Sequence, residues 1–148
     1  MILPTLDYCD IVWQGCGQGN CDSLERLQRR AAKQIHPNSG IESDTLLLTL
    51  KLVLLTDRRK AHISILVKKC LIGFVPPYFL NYFKLNESHS FYKTRDIMDI
   101  SLPKVRLEVA KHSFYYTGAV QFNNLPRDLK EIQSLDGFTQ AVREFLTV

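Results

Sequence analysis

The stretch DSLERLQRRAAKQIHPNSG, residues 22–40, decides the fold class. Leu24, Leu27, Ala31 and Ile35 recur at intervals of three and four, the period of one helix face. Asp22 stands where an N-cap belongs, and Glu25 follows three residues on, the spacing of a capping box. Pro37 disfavours helical geometry at His36, and Gly40 allows a turn, so the helix is expected to stop there. Arg26, Arg29, Arg30 and Lys33 project from the side opposite the apolar stripe. Just upstream, GCGQGN (residues 15–20) reads as a loop. Its glycines do not make a phosphate loop, because no Gly-Lys-Ser/Thr follows.

Outward from this helix the same period recurs. A short helix is expected over Asp44 to Leu50. A longer one begins at Thr56, its N-cap, with Asp57 at the positive end of the helix dipole. Ile63, Leu66, Val67 and Cys70 share one of its faces. Ala61, Ile65 and Ile72 lie on the other, which predicts a helix sandwiched between partners. Gly73 and Pro76-Pro77 end it, and PYFLNYF gives a further helical turn begun by a proline. Residues 86–101 are polar and irregular. DISLP, residues 99–103, suits a short strand with Ile100 and Leu102 on one face. Lys111 to Phe122 fits a helix, RDLKEI adds a turn, and Ser134 caps a last helix. That helix carries Leu135, Phe138, Val142, Phe145 and Leu146 on one stripe. The expected fold is mainly α: an irregular multi-helix assembly with long loops and room for one short strand pair.

Composition narrows the function classes. The chain has 148 residues, 45% hydrophobic and 23% charged, enough for a packed core. Its net charge of +4 permits an anionic partner without demanding one. The apolar run LLLTLKLVLL is interrupted by Thr49 and Lys51 and falls short of a membrane span. The start of the chain lacks the basic region of a signal peptide and carries Pro4, Asp7 and Asp10. An intracellular location, cytoplasm or nucleus, is expected, without secretion and without a membrane partner. Cys9, Cys16, Cys21 and Cys70 include no Cys-x-x-Cys pair, so free thiols are expected and no metal site.

Reaction centres are hard to find. No Gly-x-Ser-x-Gly elbow and no His-Glu-x-x-His site occurs. His36, His62, His89 and His112 are scattered and read as surface or half-buried residues. Asp7 and Asp10 could share a metal, but capping or surface solvation explains such a pair as well. No catalytic residue, cofactor or metal is assigned. The basic face of Arg26, Arg29, Arg30 and Lys33 is the best candidate for nucleic-acid contact through phosphates. Arg58-Arg59-Lys60 and Lys68-Lys69 form a second basic cluster of the same kind. KHSFYYTGAVQFNNLP, residues 111–126, places Phe114, Gly118 and Phe122 on one row. A glycine between aromatics marks a packed seam, either core or interface, rather than a platform for stacking bases.

In order along the chain, ILPTLDYCDIVW, LERLQRRAAKQI, RRKAHISILVKKCLIGFVPPYF, HSFYKTR, KHSFYYTGAVQFNNLP and LKEIQSLDGFTQAVREFL resemble one family. It is the region that follows the palm in jockey-like non-LTR (LINE-type) retrotransposon reverse transcriptases. The resemblance covers nearly the whole chain. Family members carry tryptophan where Phe122 stands, Lys-Leu-Gly-Trp near KLVLL, and Thr-Gly where HPN follows Ile35. The resemblance implies a thumb-like end over residues 1–40, a helical segment over 41–85 and a helical tail over 86–148. It implies RNA or an RNA–DNA hybrid as partner in the parent protein, together with the upstream polymerase domain. Magnesium would be held by paired aspartates of the parent's palm, and no Asp-Asp occurs in this sequence. The expectation is a non-catalytic fragment of an RNA-directed DNA polymerase, read from an open reading frame that starts inside a decayed or mis-predicted element. The alternative is a domesticated helical interaction module that holds a protein partner with the seam at Phe114, Gly118 and Phe122.

Overall fold

A computed structural model describes residues 3–37, 40, 42–86 and 97–147. Among them are nine α-helices: α1 (Leu3–Asp7), α2 (Asp10–Trp13), α3 (Gln18–Ile35), α4 (Ser43–Thr49), α5 (Leu55–Leu71), α6 (Glu108–Lys111), α7 (Phe114–Asn123), α8 (Arg127–Glu131) and α9 (Leu135–Thr147). A 3-10 turn covers Pro77–Phe79. The described chain is mainly helical, as expected, and its β-structure is one antiparallel bridge between Leu85 and Ile100. His89, Ile2 and the HSFYKTR block lie outside the described residues. Two compact units are present, Met1–Arg59 and Lys60–Leu146, and the division falls within α5.

In the first unit α3 begins earlier than its cap signals suggest. Gly17 is the N-cap, with no side-chain cap bond, and Gln18, Gly19 and Asn20 are already helical. Asp22 lies inside the helix and accepts a 2.8 Å hydrogen bond from Gln18. Glu25 forms no capping box. Its buried Oε1 accepts the backbone N–H of Thr56 at 2.9 Å and the Thr56 hydroxyl at 3.1 Å. A carboxylate from α3 therefore caps α5, where free amides and the helix dipole favour negative charge. Thr56, the expected cap, is inside the helix, which starts at Leu55.

The buried face of α3 is Glu25, Gln28 and Ala32. Gln28 is 2% exposed and donates to the Val53 carbonyl at 2.9 Å. Ala32 packs with Leu46 and Leu47 of α4, flanked by Leu50 and Leu52. The stripe of Leu24, Leu27, Ala31 and Ile35 is not this face. Leu27 is 50% exposed and Ile35 61%. At 3.6 residues per turn, the buried positions lie about a quarter turn round the helix from the apolar ones. Hydrogen bonds to the 53–56 segment outweigh the stripe in setting the rotation of α3, because an unpaired buried polar group costs about 1–3 kcal/mol. Glu25 Oε2 and Gln28 Oε1 nonetheless stay buried without a partner.

The second unit is built conventionally around α5. Ala61, Ile63, Ile65, Val67 and Cys70 are all buried, so this helix is enclosed on several sides, as predicted. It ends in a Schellman motif at Gly73, whose φ is +79°. Phe74 N donates to the Lys69 carbonyl at 2.9 Å and Gly73 N to the Cys70 carbonyl at 3.4 Å. The predicted 111–122 helix is interrupted: α6 ends at Lys111 and α7 begins at Phe114, with Ser113 as its N-cap. In α7 a Cβ on Gly118 would stand 3.0 Å from Val67, 3.1 Å from Phe83 and 3.3 Å from Phe114. Only glycine lets these side chains close over the helix without displacement. Ser134 N-caps α9, its Oγ accepting from Gly137 N at 3.4 Å. Phe138 and Val142 of the predicted stripe are fully buried, while Phe145 is exposed. The rings of Phe122 and Phe138 lie 6.3 Å apart. At the bridge Ile100 is buried, but Leu102 is 47% exposed, so the expected strand does not extend to it.

Candidate nucleic-acid interface

The basic stripe of α3 is the sequence-predicted site. An 18-residue helix is about 27 Å long, and positions 26, 30 and 33 follow one line along it. Arg26, Arg30 and Lys33 are exposed. Arg26 is steadied by its own helix: Nε donates to the Asp22 carbonyl at 3.3 Å and Nη2 to Ser23 Oγ at 3.0 Å. Arg29 departs from the group. It is half-buried and its Nε meets Asp44 Oδ1 at 2.8 Å, a surface ion pair worth at most about 1 kcal/mol. Three of the four predicted residues are therefore exposed, and the fourth is shared with an acid.

Next to this stripe runs an open groove of about 800 Å³, walled by Pro4, Leu6, Leu27, Ala31, Ile35 and Leu52, with Arg30 on its rim. It is the displaced apolar stripe of α3, left open by the rotation described above. A smaller hollow of about 320 Å³ lies between Ser23, Arg26, Leu27 and Arg30.

The second basic cluster is not a surface patch. Arg58 pairs with Asp7 through Nε at 3.1 Å and through a second bond from Nη2 to the other carboxylate oxygen. Asp7 is thereby engaged by a guanidinium, and the neighbouring Asp10 is buried. Arg59 is buried in the first unit. Lys68 is buried in the second, donates to the Lys130 carbonyl at 3.0 Å and sits 5.2 Å over the Phe138 ring. Burial pushes the Lys68 ammonium below the usual lysine range. Lys130 is buried too, bonded to Asp99 Oδ1 at 2.6 Å and to the Asn123 carbonyl at 2.7 Å. These cations hold the fold together, which runs of Lys and Arg in a sequence do not reveal.

The aromatic stretch is packing. Phe114 meets Phe79 at 6.4 Å and Phe83 at 5.5 Å between centroids, both edge-on, and Tyr115 meets Tyr82 at 5.2 Å. Phe122 and Gly118 are buried. Lys111, at the head of the stretch, is bonded to Glu108 at 2.6 Å, which holds the Glu108 carboxyl below its ordinary range and the Lys111 ammonium above its own. The rings pack edge-on against one another. The seam's surface is filled within its own unit by Val67, Phe83 and Phe138.

Sequence reasoning missed Glu25 and Gln28 as buried partners of the 53–56 segment. Their signal was visible only as charge and amide on a helix, with nothing to mark the distant acceptor or donor. Compared with models of known families, with curated proteins and with solved structures, the chain matches none of them. No helix among the described residues is long and apolar enough to cross a membrane.

Proposed function

We propose that this chain is the non-catalytic, backbone-contacting part of a retrotransposon-type RNA-directed DNA polymerase, with α3 lying along an RNA–DNA hybrid. The observation that carries this reading is the line of Arg26, Arg30 and Lys33, exposed on one continuous helix. Contacts from such a line go to phosphates and carry no sequence information. The open apolar groove beside it supports the same reading. In a polymerase, the domain upstream of this region would cover that stripe and leave the basic one toward the duplex. With no Asp-Asp in the sequence, the carboxylate pair for two magnesium ions has to come from that domain.

The test is binding to an RNA–DNA hybrid across a salt series. Each neutralised phosphate contributes roughly 0.9 to the slope of log affinity against log salt, so changing Arg26, Arg30 and Lys33 to Gln should flatten it by about two to three. Adding Arg29→Gln should change it further by less than one contact's worth, because Asp44 already competes for that guanidinium. An unchanged slope would remove α3 as the binding surface. A salt-insensitive complex with a protein would favour an interaction module instead.

A further inference from the structure

The first unit also holds two thiols that the reading above leaves unused. Cys16 immediately precedes Gly17, the N-cap of α3, and Cys21 lies in the first turns of that helix. This short connection brings the two sulfurs to 3.6 Å, and Cys21 Sγ also lies 3.8 Å from the Cys16 carbonyl oxygen. Both side chains are partly open to solvent, whereas Cys70 is buried and Cys9 is exposed.

Arg59 is directed at this pair. It is 6% exposed, and its Nη1 donates to Cys21 Sγ at 3.3 Å. Its Nε is used by the Leu55 carbonyl at 3.2 Å, and the guanidinium lies 5.0 Å over the Trp13 ring. Nη2 is buried with no hydrogen-bond partner. A guanidinium keeps its charge at all accessible pH, and a thiol sulfur is a poor acceptor for it. A thiolate, the form in which a cysteine attacks a disulfide, is a strong acceptor for it. Burial, followed by the hydrogen bond with Cys21, pushes the Cys16 thiol up.

We propose that Cys16 and Cys21 form a thiol–disulfide exchange pair that reacts with small-molecule disulfides, Cys21 as the attacking sulfur and Cys16 as the resolving one. The Cys21 thiolate, having released its proton to solvent, attacks one sulfur of the small disulfide. A Cys21–S–S–R bond forms, the original S–S bond breaks, and one RS⁻ leaves. Cys16 then attacks the Cys21 sulfur. Its proton passes to the second departing RS⁻, and the Cys16–Cys21 disulfide forms. Two protein thiols are oxidised and one small disulfide is reduced to two thiols. From 3.6 Å the sulfurs need to approach by about 1.5 Å, within reach of side-chain rotation.

The experiment exposes the reduced full chain to oxidised glutathione at neutral pH, quenches with acid and reads the product by peptide mass mapping. The expected product is lighter by about two hydrogens, bridged between Cys16 and Cys21, with Cys9 and Cys70 still free. Cys16→Ser should accumulate a glutathione adduct on Cys21. Cys21→Ser should form adducts at Cys16 about tenfold more slowly. Arg59→Gln should slow alkylation of Cys21 severalfold relative to Cys9 in the same molecule. If that variant fails to fold, the two cysteine variants carry the result by themselves. Equal alkylation of Cys21 and Cys9 in the unaltered chain, or chains linked only through Cys9, would overturn the proposal.

Discussion

The two units bury different things. In the second, aromatic and aliphatic side chains close over α5, α7 and α9, and its buried cations find acceptors: Lys68 the Lys130 carbonyl, Lys130 Asp99 and the Asn123 carbonyl. In the first, the principal helix turns Glu25, Gln28 and Ala32 inward and leaves Leu27 and Ile35 out. Among the described residues, the buried side-chain atoms without hydrogen-bond partners are Glu25 Oε2, Gln28 Oε1 and Arg59 Nη2, all in the first unit. The contrast teaches that a clean apolar period locates a helix without saying which side faces inward. Where long-range polar bonds compete with the stripe, the bonds set the rotation, and the stripe becomes surface available to another protein.

The largest effect is expected where apolar packing is complete. Phe138→Ala should destabilise the second unit by about 3–5 kcal/mol in urea unfolding followed by far-UV circular dichroism, since the ring is fully buried. A change near zero would mean that α9 is undocked and the contrast is wrong. Gly118→Ala comes next, at about 1–3 kcal/mol, because its methyl would press on Val67, Phe83 and Phe114.

In the first unit the order of polar and apolar substitutions should invert. Trp13 is the protein's one tryptophan, so its fluorescence reports that unit separately. Glu25→Gln should cost about 1–2 kcal/mol by removing a charged cap from α5. Leu27→Ser together with Ile35→Ser should cost less than about 0.5 kcal/mol each, as surface substitutions do. If the serine pair unfolds the unit and the glutamine does not, the stripe is core after all.

The smallest effect is a dependence on pH. The folded pKa of Lys68 lies below its unfolded value, so between the two the unfolded chain holds more protons. The burial penalty is fully present below the folded value and is relieved as pH rises toward about 10.4. Measured from neutral pH to about pH 10, the stability of the unaltered protein should climb relative to that of Lys68→Met. Parallel curves would put the ammonium in water.

These residues also show what could be read in advance. The Ser134 cap and the centre of the α9 stripe, Phe138 and Val142, were legible because the cap acts within one turn and those two residues lie on the buried face. Phe114, Gly118 and Phe122 were legible as a seam because small and aromatic residues alternate by one helical turn. Glu25 was misassigned: a capping box is a local pattern, whereas its partner Thr56 is 31 residues away. Likewise, the exposure of Arg26, Arg30 and Lys33 followed from periodicity, but nothing near Arg29 in sequence announces Asp44. The runs Arg58-Arg59-Lys60 and Lys68-Lys69 read as a second basic cluster of the same kind as the α3 face, since the carbonyl, ring and thiol that receive Arg59 and Lys68 belong to other segments.

The bridge at Ile100 has one more consequence. Leu85 and Ile100 are paired through their neighbours' backbone bonds, so the N–H and C=O of Ile100 itself point to the outer side. There the side chain of Asn123 occupies both, Oδ1 accepting at 2.8 Å and Nδ2 donating at 2.9 Å. An amide carried by a helix thus stands where the next strand would add. Exposed edges are templates for misassembly between chains, and this one is closed by a single residue from within.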